Sequence, residues 1–484
     1  MEHQILKLQD NKLVWKYFYE LSQIPRVREF VRINKYLKQV LTELKVKFSE
    51  DKAGNIIGYV PASKGFERYP TVALQAHTDM VGAKTNESKH NFAKDPIELI
   101  IEGDWIKANN TTLGGDDGVG VAIILAIIAD QTCKHGPLEV VFTSLEECGL
   151  MGVEKLDIKK VKARYMINID TSSEKNVIVG CNGGKTLRCF CTTKRDSRSR
   201  LKSKNYEISM TNALGGHSGA DISKHRLNTI TQVFGILASL IAMYDVRLVE
   251  IPTVGVFNAI PANFRCIINV LDKDIKDVKR IINEDFTITK QHYASHKNLT
   301  CEFALAKTTL NPLSANDNKK IIQALTIFPN GTLNYRSDLG ISDVSSNVGF
   351  IELIKNDFST EIMVRSMFTN KIKYLSQRII DIANIFGLKY KILSENNPWM
   401  PKHDNNLADL YVKCAKDVLH YEPAITVTAG ALETGVFASK IHDFKCMSIG
   451  PNNPNIHTYE EKLSITSTNN ITKIVKNVLA SLDK

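Results

Sequence analysis

Short runs of consecutive apolar residues recur along the first third of the chain, and such runs are typical of strands buried on both faces. They occupy residues 71–77, 138–145 and 165–170, with a further candidate at 176–180. Residues 118–129 are also almost continuously apolar, but this stretch has the length of a core helix. Strands that alternate with helices predict an α/β domain with a mostly parallel central sheet flanked by helices.

The pattern of apolar and polar positions changes after residue 184. Residues 186–194 alternate as in a half-exposed strand. Further segments are predicted as helices at 224–244 and 273–294 and as strands at 249–257, 262–271 and 361–367. After residue 385 the first pattern returns, with strands predicted at 388–393 and 444–449 and helices at 405–419 and 466–482. The sequence therefore predicts one α/β domain, formed by residues 1–184 and 386–484, interrupted by an inserted α+β domain at 185–385.

Composition excludes several classes of protein. The 484 residues allow two to four domains of about 100–200 residues each. Hydrophobic residues make up 43% and charged residues 24%, which excludes collagen-like, coiled-coil and disordered chains. The net charge of +10 permits an acidic partner without implying one.

Three further features bear on the location of the protein. The N-terminal sequence is polar and lacks the apolar centre of a signal peptide. The longest apolar run, residues 119–129, would cross only about half of a bilayer core as a helix. Nine cysteines without a CxxC pair favour reduced thiols. Together these features predict a soluble cytoplasmic protein that does not associate with membranes.

Acidic residues and histidines stand where predicted strands end or helices begin. Because the carboxyl ends of parallel strands form the ligand crevice of an α/β sheet, we expect these side chains to meet. Imidazole and carboxylate ligands suit zinc, manganese or cobalt. Two cations with one shared carboxylate can be held by five such residues, namely His77, Asp116, Glu147, Asp170 and His457.

Two acidic residues are left over beside this set. Glu146 is a candidate general base next to a metal-activated water, and Asp79 is placed to hydrogen-bond the outer nitrogen of His77. Taken singly, each residue has an ordinary interpretation, such as a helix cap at Asp117 or a solvated pair of glutamates. The joint pattern favours a metal site, because two adjacent acids after an apolar strand are costly to bury unpaired.

Around these residues the sequence resembles the bacterial aminoacyl-histidine dipeptidases, also called Xaa-His or cytosol non-specific dipeptidases, of the co-catalytic zinc peptidase clan. The resemblance rests on motifs that run in the family's order across almost the whole chain. They are LQAHTDM (74–80), TTLGGDDGVG (111–120), LEECG (145–149), NIDT (168–171), GCNGG (180–184), GGHSG (215–219), NAIP (258–261) and the loop that ends at His457.

The resemblance implies a catalytic domain with an inserted lid domain, through which a homodimer forms. It implies two divalent ions per chain, most often Zn²⁺, with Co²⁺ or Mn²⁺ as alternatives, and it makes Asp116 the ligand that bridges them. Glu146 matches the general base, and Asp79 matches the residue behind the first histidine. Residues that match substrate-binding positions are His217, Asn258 and Arg365. The implied reaction is the hydrolysis of dipeptides, Xaa-His and other unblocked ones, by a metal-bridged water.

Two positions depart from the family pattern. Asp117 stands where many relatives have asparagine, and Ala431 stands where relatives have glycine. The first departure adds a charge near the bridging ligand, so it bears on metal affinity. The second lies near the substrate in such enzymes, so it bears on specificity.

Two other functions stay open at this stage. A related deacylase or aminoacylase acting on N-acyl amino acids would use the same metals and Glu146. A non-enzymatic protein could bind nucleic acid through the basic stretch 185–204, but such stretches are usually solvated. Phe190 is the only aromatic residue in that stretch, so it lacks a surface on which bases would stack. We therefore expect dipeptide substrates and no nucleic-acid partner.

Overall fold

The computed structural model describes residues 3–198, 201–402 and 404–482. Contacts divide the described chain into two compact units. The first unit comprises the described part of Met1–Gly180, Trp399–Val427 and Leu432–Lys484. The second comprises the described part of Cys181–Pro398 together with Thr428–Ala431.

The α-helices in the described residues are α1 (Lys12–Ser22), α2 (Val31–Glu43), α3 (Gly115–Ala129), α4 (Met151–Lys155), α5 (Thr229–Met243), α6 (Ile275–His292), α7 (Ala315–Ile327), α8 (Thr369–Ile385), α9 (Asn406–Leu419), α10 (Glu433–Lys440) and α11 (Ile465–Ser481). None of them is both long and apolar enough to cross a membrane.

The strands in the described residues are β1 (Lys47–Glu50), β2 (Ile56–Val60), β3 (Val72–His77), β4 (Leu99–Glu102), β5 (Trp105–Ala108), β6 (Leu138–Thr143), β7 (Tyr165–Ile169), β8 (Asn176–Cys181), β9 (Gly183–Thr192), β10 (Ser203–Thr211), β11 (Gly216–His217), β12 (Arg247–Gly255), β13 (Ala259–Ile260), β14 (Phe264–Leu271), β15 (Thr300–Leu305), β16 (Gly331–Arg336), β17 (Ile341–Ile354), β18 (Asp357–Ser366), β19 (Lys389–Asn396), β20 (Ala424–Thr428), β21 (Lys445–Ile449) and β22 (Lys462–Ser464).

The first unit is built on an eight-stranded sheet in the order β1-β2-β6-β3-β7-β21-β8-β20. Its central strands β6, β3, β7 and β21 are parallel to one another. The pairs β1–β2, β2–β6 and β21–β8 are antiparallel. The predicted α/β class with a parallel-containing sheet is confirmed, and the parallel part is the central one.

The sequence of the central strands and of α3 explains their place in the core. Every residue of β3 and β6 is buried, as expected for strands covered on both faces. Helix α3 is apolar on all sides because α1 packs against it from one direction and β3 and β7 from another. This burial fixes the strand ends and the start of α3, where the candidate ligands lie.

The second unit contains a nine-stranded sheet in the order β15-β10-β14-β12-β17-β18-β9-β19, with β16 paired to β17. All of its pairs that involve β9, β10, β12 or β17 are antiparallel. Helices α5, α7 and α8 pack on one another and on strands of this sheet to form its core. The predicted α+β character of the insertion is therefore confirmed.

The second boundary of the insertion differs from the sequence prediction. Strand β19 pairs along its length with β9, so residues 386–398 belong to the second unit and not to the α/β unit as predicted. The short segment Thr428–Ala431, which includes the atypical Ala431, also belongs to the second unit. An alternating pattern of apolar and polar residues predicts that a segment is a strand, but it does not predict which sheet the strand joins.

Several basic side chains of the stretch 185–204 form hydrogen bonds or ion pairs inside the second unit. Arg195 donates a hydrogen bond of 2.8 Å to the carbonyl of Val249, and Arg200 lies outside the described residues. Three further basic residues form ion pairs, namely Lys185 with Glu395, Arg188 with Glu361 and Arg198 with Asp245. These contacts give much of the stretch a structural role.

Candidate metal centre

The register of the parallel strands brings the candidate ligands of the first unit to one edge of the sheet. His77 ends β3 and lies opposite Thr143, the last residue of β6. Glu146 and Glu147 follow β6 after a short turn, and Asp170 follows β7 directly. The loop after β21, which carries His457, leaves the sheet at the same edge because β21 is parallel to β7. The predicted convergence thus follows from strand direction.

The two oxygens of Asp116 face two different histidines. Its Oδ1 lies 2.9 Å from His77 Nε2, and its Oδ2 lies 3.1 Å from His457 Nε2. His77 Nε2 is also 3.5 Å from Asp170 Oδ1, and His457 Nε2 is 2.9 Å from Glu147 Oε1. Asp116 is therefore common to two groups of side chains, each with one imidazole and two carboxylates.

In each group the potential ligand atoms lie within 4.8 Å of one another. One group is His77, Asp116 and Asp170, and the other is Asp116, Glu147 and His457. A third combination, His77 with Glu146 and Glu147, shares His77 with the first group and Glu147 with the second. All five residues proposed as ligands from the sequence are thus brought together, with the predicted bridging residue in the middle.

The electrostatics of the cluster fit a site for cations. Burial lowers the pKa of His77, but the carboxylates of Asp170 and Asp116 outweigh this effect and hold the pKa well above its usual value. Burial also opposes protonation of His457, while Asp116 and Glu147 raise its pKa to about 11. The direction of both shifts reflects the crowding of carboxylates around the imidazoles, and divalent cations would balance this negative charge. The oxygen and nitrogen donors are those that zinc, cobalt and manganese accept.

Asp117, which follows the candidate bridging residue Asp116, is buried. Its Oδ2 accepts the N–H of His77 at 3.2 Å, and its Oδ1 accepts the N–H of Gly120 at 3.1 Å. The second bond is a cap on the first turn of α3, where Asp116 and Asp117 have non-helical backbone angles and the peptide bond between them is cis. Asp117 therefore also fixes the end of β3.

Asp79 does more than the sequence predicted. The outer nitrogen of His77 lies 3.1 Å from the backbone carbonyl of Asp79 and 3.6 Å from its carboxylate, so the closer partner is the main chain. The carboxylate instead accepts the N–H of Glu146 at 2.9 Å and the N–H of Glu147 at 3.2 Å. Asp79 thus holds the turn that presents the candidate base and one ligand.

Glu146, the candidate general base, lies in an environment that disfavours its charged form. Burial raises the pKa of its carboxyl well above the usual value, and the neighbouring Glu147 and Asp170 raise it further against the opposing effect of His77. A raised pKa makes its carboxylate a stronger base than that of an exposed glutamate.

The three candidate substrate-binding residues lie in the second unit, and the structure brings them together there. His217 Nε2 is 3.5 Å from an Nη of Arg365, and the same Nη is 3.5 Å from Ser218 Oγ. The Ser218 N–H donates to the carbonyl of Asn258 at 2.9 Å. Arg365 is 4% exposed, and burial lowers the pKa of its guanidinium to about 10.

Sequence reasoning missed three buried charged residues around the cluster: Arg26, Glu433 and Glu461. Arg26 has no local pattern that marks it, and Glu461 resembles half of a solvated pair with Glu460. Glu433 stands at the start of α10, and no local pattern marks its carboxylate as buried. Their roles depend on contacts with segments remote in the sequence.

Glu433 ends a row of hydrogen-bonded polar side chains beneath the ligands. One of its oxygens accepts Gln75 Nε2 and Thr143 Oγ1, each at 2.6 Å. Gln75 Oε1 in turn accepts Asn168 Nδ2 at 2.6 Å, and Asn168 Oδ1 accepts the Ser448 hydroxyl. We call these five side chains the polar row. It crosses all four central strands just before their ligand-bearing ends.

The polar row leads to a prediction about pH. Burial raises the pKa of Glu433 to about 8 from the 4.5 of an exposed carboxyl. Between about pH 4.5 and pH 8 this carboxyl ionises in the unfolded chain but stays protonated in the folded chain. The stability that it contributes is therefore complete below about pH 4.5 and is lost as the pH rises to about 8. Relative to Glu433→Gln, the metal-free protein should therefore lose free energy of unfolding between these two pH values.

Denaturant titrations at several pH values measure this difference. Glu43→Gln, at the exposed end of α2, is the control for removal of one carboxylate. A constant difference between wild type and Glu433→Gln from pH 4.5 to pH 8 would contradict the prediction.

Comparison with known proteins agrees with this geometry. The sequence profile described as peptidase family M20/M25/M40 matches residues 73–481. The cytosol non-specific dipeptidase of Escherichia coli (strain K12) is 28% identical over an alignment of 477 positions, which covers 96% of this chain and 98% of that protein. The crystal structure of aminoacylhistidine dipeptidase from Vibrio alginolyticus superposes with a TM-score of 0.83 at 26% identity, covering 100% of this chain and 99% of the other.

A more remote structure shares the fold alone. Aminopeptidase PepT from Bacillus cereus ATCC 10987 superposes with a TM-score of 0.59 at 16% identity, covering 98% of this chain and 99% of the other. The resemblance inferred from the motifs is confirmed by the profile and by both dipeptidases. The chain therefore belongs to peptidase family M20/M25/M40 and is a peptide-bond hydrolase.

Proposed function

We propose that the protein is a dinuclear metallo-dipeptidase that cleaves unblocked dipeptides, Xaa-His dipeptides among them. The observation that carries this proposal is that two ligand groups share Asp116. Such paired sites are used to hydrolyse peptide and phosphate bonds. The Escherichia coli and Vibrio alginolyticus relatives, both named as dipeptidases, match nearly the whole chain, which supports the choice of substrate.

The side chains present suit two divalent cations, Zn²⁺ first and Co²⁺ or Mn²⁺ as alternatives. One cation would be held by His77 and Asp170, the other by Glu147 and His457, with Asp116 between them. When bound, they would activate a water molecule and polarise the scissile carbonyl. The cytosolic name of the Escherichia coli relative supports a cytoplasmic location.

In this mechanism the protein's own groups handle the protons. Glu146 accepts a proton from the attacking water and delivers it to the nitrogen of the leaving amine. Asp79 keeps Glu146 in place, since its carboxylate holds the backbone N–H groups of both Glu146 and Glu147. The raised pKa of Glu146 matches both halves of this transfer.

We assign recognition of the substrate to the second unit. Among the described residues Arg365 forms no ion pair, although its side chain is buried, and its Nε has no hydrogen-bond partner. A buried guanidinium in this state favours the C-terminal carboxylate of a dipeptide. Asn258 would assist, and His217 would contact the developing oxyanion. We also retain a homodimer formed through this unit as part of the proposal.

The activity is tested with metal-free protein and a panel of dipeptides that includes Xaa-His and β-Ala-His, beside N-acyl amino acids. Each substrate is assayed without metal and with added zinc, manganese or cobalt. Metal-dependent cleavage of dipeptides is the expected result. Cleavage of N-acyl amino acids alone would replace the proposal by a deacylase, and no turnover with two bound cations per chain would contradict an enzymatic role on these substrates.

The role of Arg365 gives a separate prediction. Arg365→Gln should raise KM for a dipeptide by about 10–100-fold, which corresponds to the loss of a hydrogen bond to a charged group. For the same dipeptide with an amidated C-terminus, the variant and the wild type should have similar KM values, because the carboxylate is absent.

Steady-state kinetics on both substrates measure this effect. Arg188→Gln is the matched control, since Arg188 lies on β9 of the same sheet but already pairs with Glu361. An equal rise of KM for the acid and the amide would show that Arg365 does not bind the carboxylate.

A further inference from the structure

One carboxylate outside the ligand set joins the two loops that supply Asp116 and His457. Glu461 stands four residues after His457 in the loop that follows β21, and only 2% of its surface is exposed. Its side chain points to the loop that precedes and begins α3. A buried carboxylate in such a place needs several hydrogen-bond donors to balance its lost hydration.

Three of these donors are backbone N–H groups of the Asp116 loop. Glu461 Oε2 accepts the N–H of Leu113 at 2.8 Å and of Gly114 at 3.0 Å, and Oε1 accepts the N–H of Asp116 at 3.2 Å. Asn453 Nδ2 adds a fourth donor at 3.2 Å. Glu461 thus fixes the main chain of the bridging ligand itself.

Arg26 contacts one carbonyl group of the same loop and two carbonyl groups of the turn after His77. Its guanidinium donates to the carbonyls of Gly114, Thr78 at 3.0 Å and Asp79 at 2.9 Å, and its side chain is 3% exposed. The loop is therefore held by a carboxylate that accepts three of its N–H groups and by a guanidinium that donates to one of its carbonyl groups. Arg26 also ties it to the turn after His77.

The position of Asp116 between two histidines depends on these hydrogen bonds to its loop. Its two oxygens lie 2.9 Å and 3.1 Å from nitrogens of two histidines, so a small shift of the loop would disturb both contacts at once. Glu461 belongs to the same loop as His457, so its bonds also set the distance between the two loops. Without its side chain, three buried N–H groups would lose their acceptor.

We propose that Glu461 is a positioning residue that preorganises Asp116 and His457 for the cation bound by Asp116, Glu147 and His457. This inference rests on the proposed dinuclear centre, but it concerns cation binding and can be measured without a substrate. Residues that orient metal ligands in this way typically change metal affinity by about 10–100-fold when they are replaced.

The test is a competition titration of the metal-free protein with Zn²⁺ against a chromophoric chelator. Glu461→Gln should bind the weaker of two Zn²⁺ ions about 10–100-fold less tightly than wild type, because an amide cannot accept three N–H groups as a carboxylate does. Excess Zn²⁺ should then restore most of the kcat. The matched control is Glu460→Gln, which removes the adjacent exposed carboxylate and should leave both affinities unchanged.

Glu461→Asp is the second variant if Glu461→Gln does not fold, as judged by circular dichroism and thermal melting. Its carboxylate is one methylene shorter and cannot reach all three N–H groups, so the weaker affinity should fall in the same way. Two Zn²⁺ affinities within twofold of wild type in a folded variant would overturn the role of Glu461 and leave the dipeptidase proposal intact. A wild-type protein that binds no Zn²⁺ would instead overturn the dinuclear centre, and this inference with it.

Discussion

Glu146→Gln is expected to lower kcat for dipeptides by at least about 10³-fold, comparable with the loss of other catalytic acid–base groups. The reason is that glutamine keeps the size of the side chain and the backbone N–H bond to Asp79 but cannot accept the proton from water. No change in the number of bound cations is expected, since the ligands proposed from the sequence do not include Glu146.

Single-turnover kinetics together with metal analysis measure both parts of this expectation. Glu154→Gln, an exposed glutamate in α4 of the same unit, serves as the control and should keep wild-type kcat. Turnover near that of wild type in metal-loaded Glu146→Gln would show that the proton is carried by another group.

Asp116→Asn should have the second large effect, because a single side chain contributes to both ligand groups. Asparagine lacks the charge and the second acceptor oxygen that face His457, so binding of both cations should weaken and activity should fall by about 10³-fold or more. The rise in melting temperature that Zn²⁺ gives the wild type should also shrink, since ligand-induced stabilisation depends on affinity.

Asp170→Asn is the comparison that separates a bridge from an ordinary ligand. Asp170 belongs to only one of the two groups that contain Asp116, so this variant should retain one tightly bound cation. Equal loss of both cations from the two variants, or unchanged binding in Asp116→Asn, would contradict the bridging role.

The convergence of the ligands was predictable from the sequence because it depends on local patterns. Apolar strands such as those ending at His77 and at residue 169 are evident from their composition, and parallel strands expose their carboxyl ends on the same side. Asp116 followed from its position at the start of a strongly apolar helix. The family resemblance then assigned roles that the geometry makes chemically reasonable.

The contacts that position these ligands were not predictable in the same way. Glu461 acts on residues 113–116, and Arg26 acts on the carbonyls of residues 78, 79 and 114, so each depends on distant segments. The attachment of β19 to β9 had the same origin, since strand alternation does not identify a partner. The carboxylate of Asp79 lies 3.6 Å from the predicted partner His77, but its bonds to the N–H groups after β6 have no local sequence signal.

The polar row also bears on how the sheet of the first unit assembles. Four parallel strands with apolar side chains on both faces offer many wrong pairings of similar energy. A slip by one residue would turn Gln75 or Asn168 to the opposite face and leave a buried amide unpaired, at a cost of about 1–3 kcal/mol for each group. The hydrogen bonds of the polar row therefore favour the correct register of the four central strands.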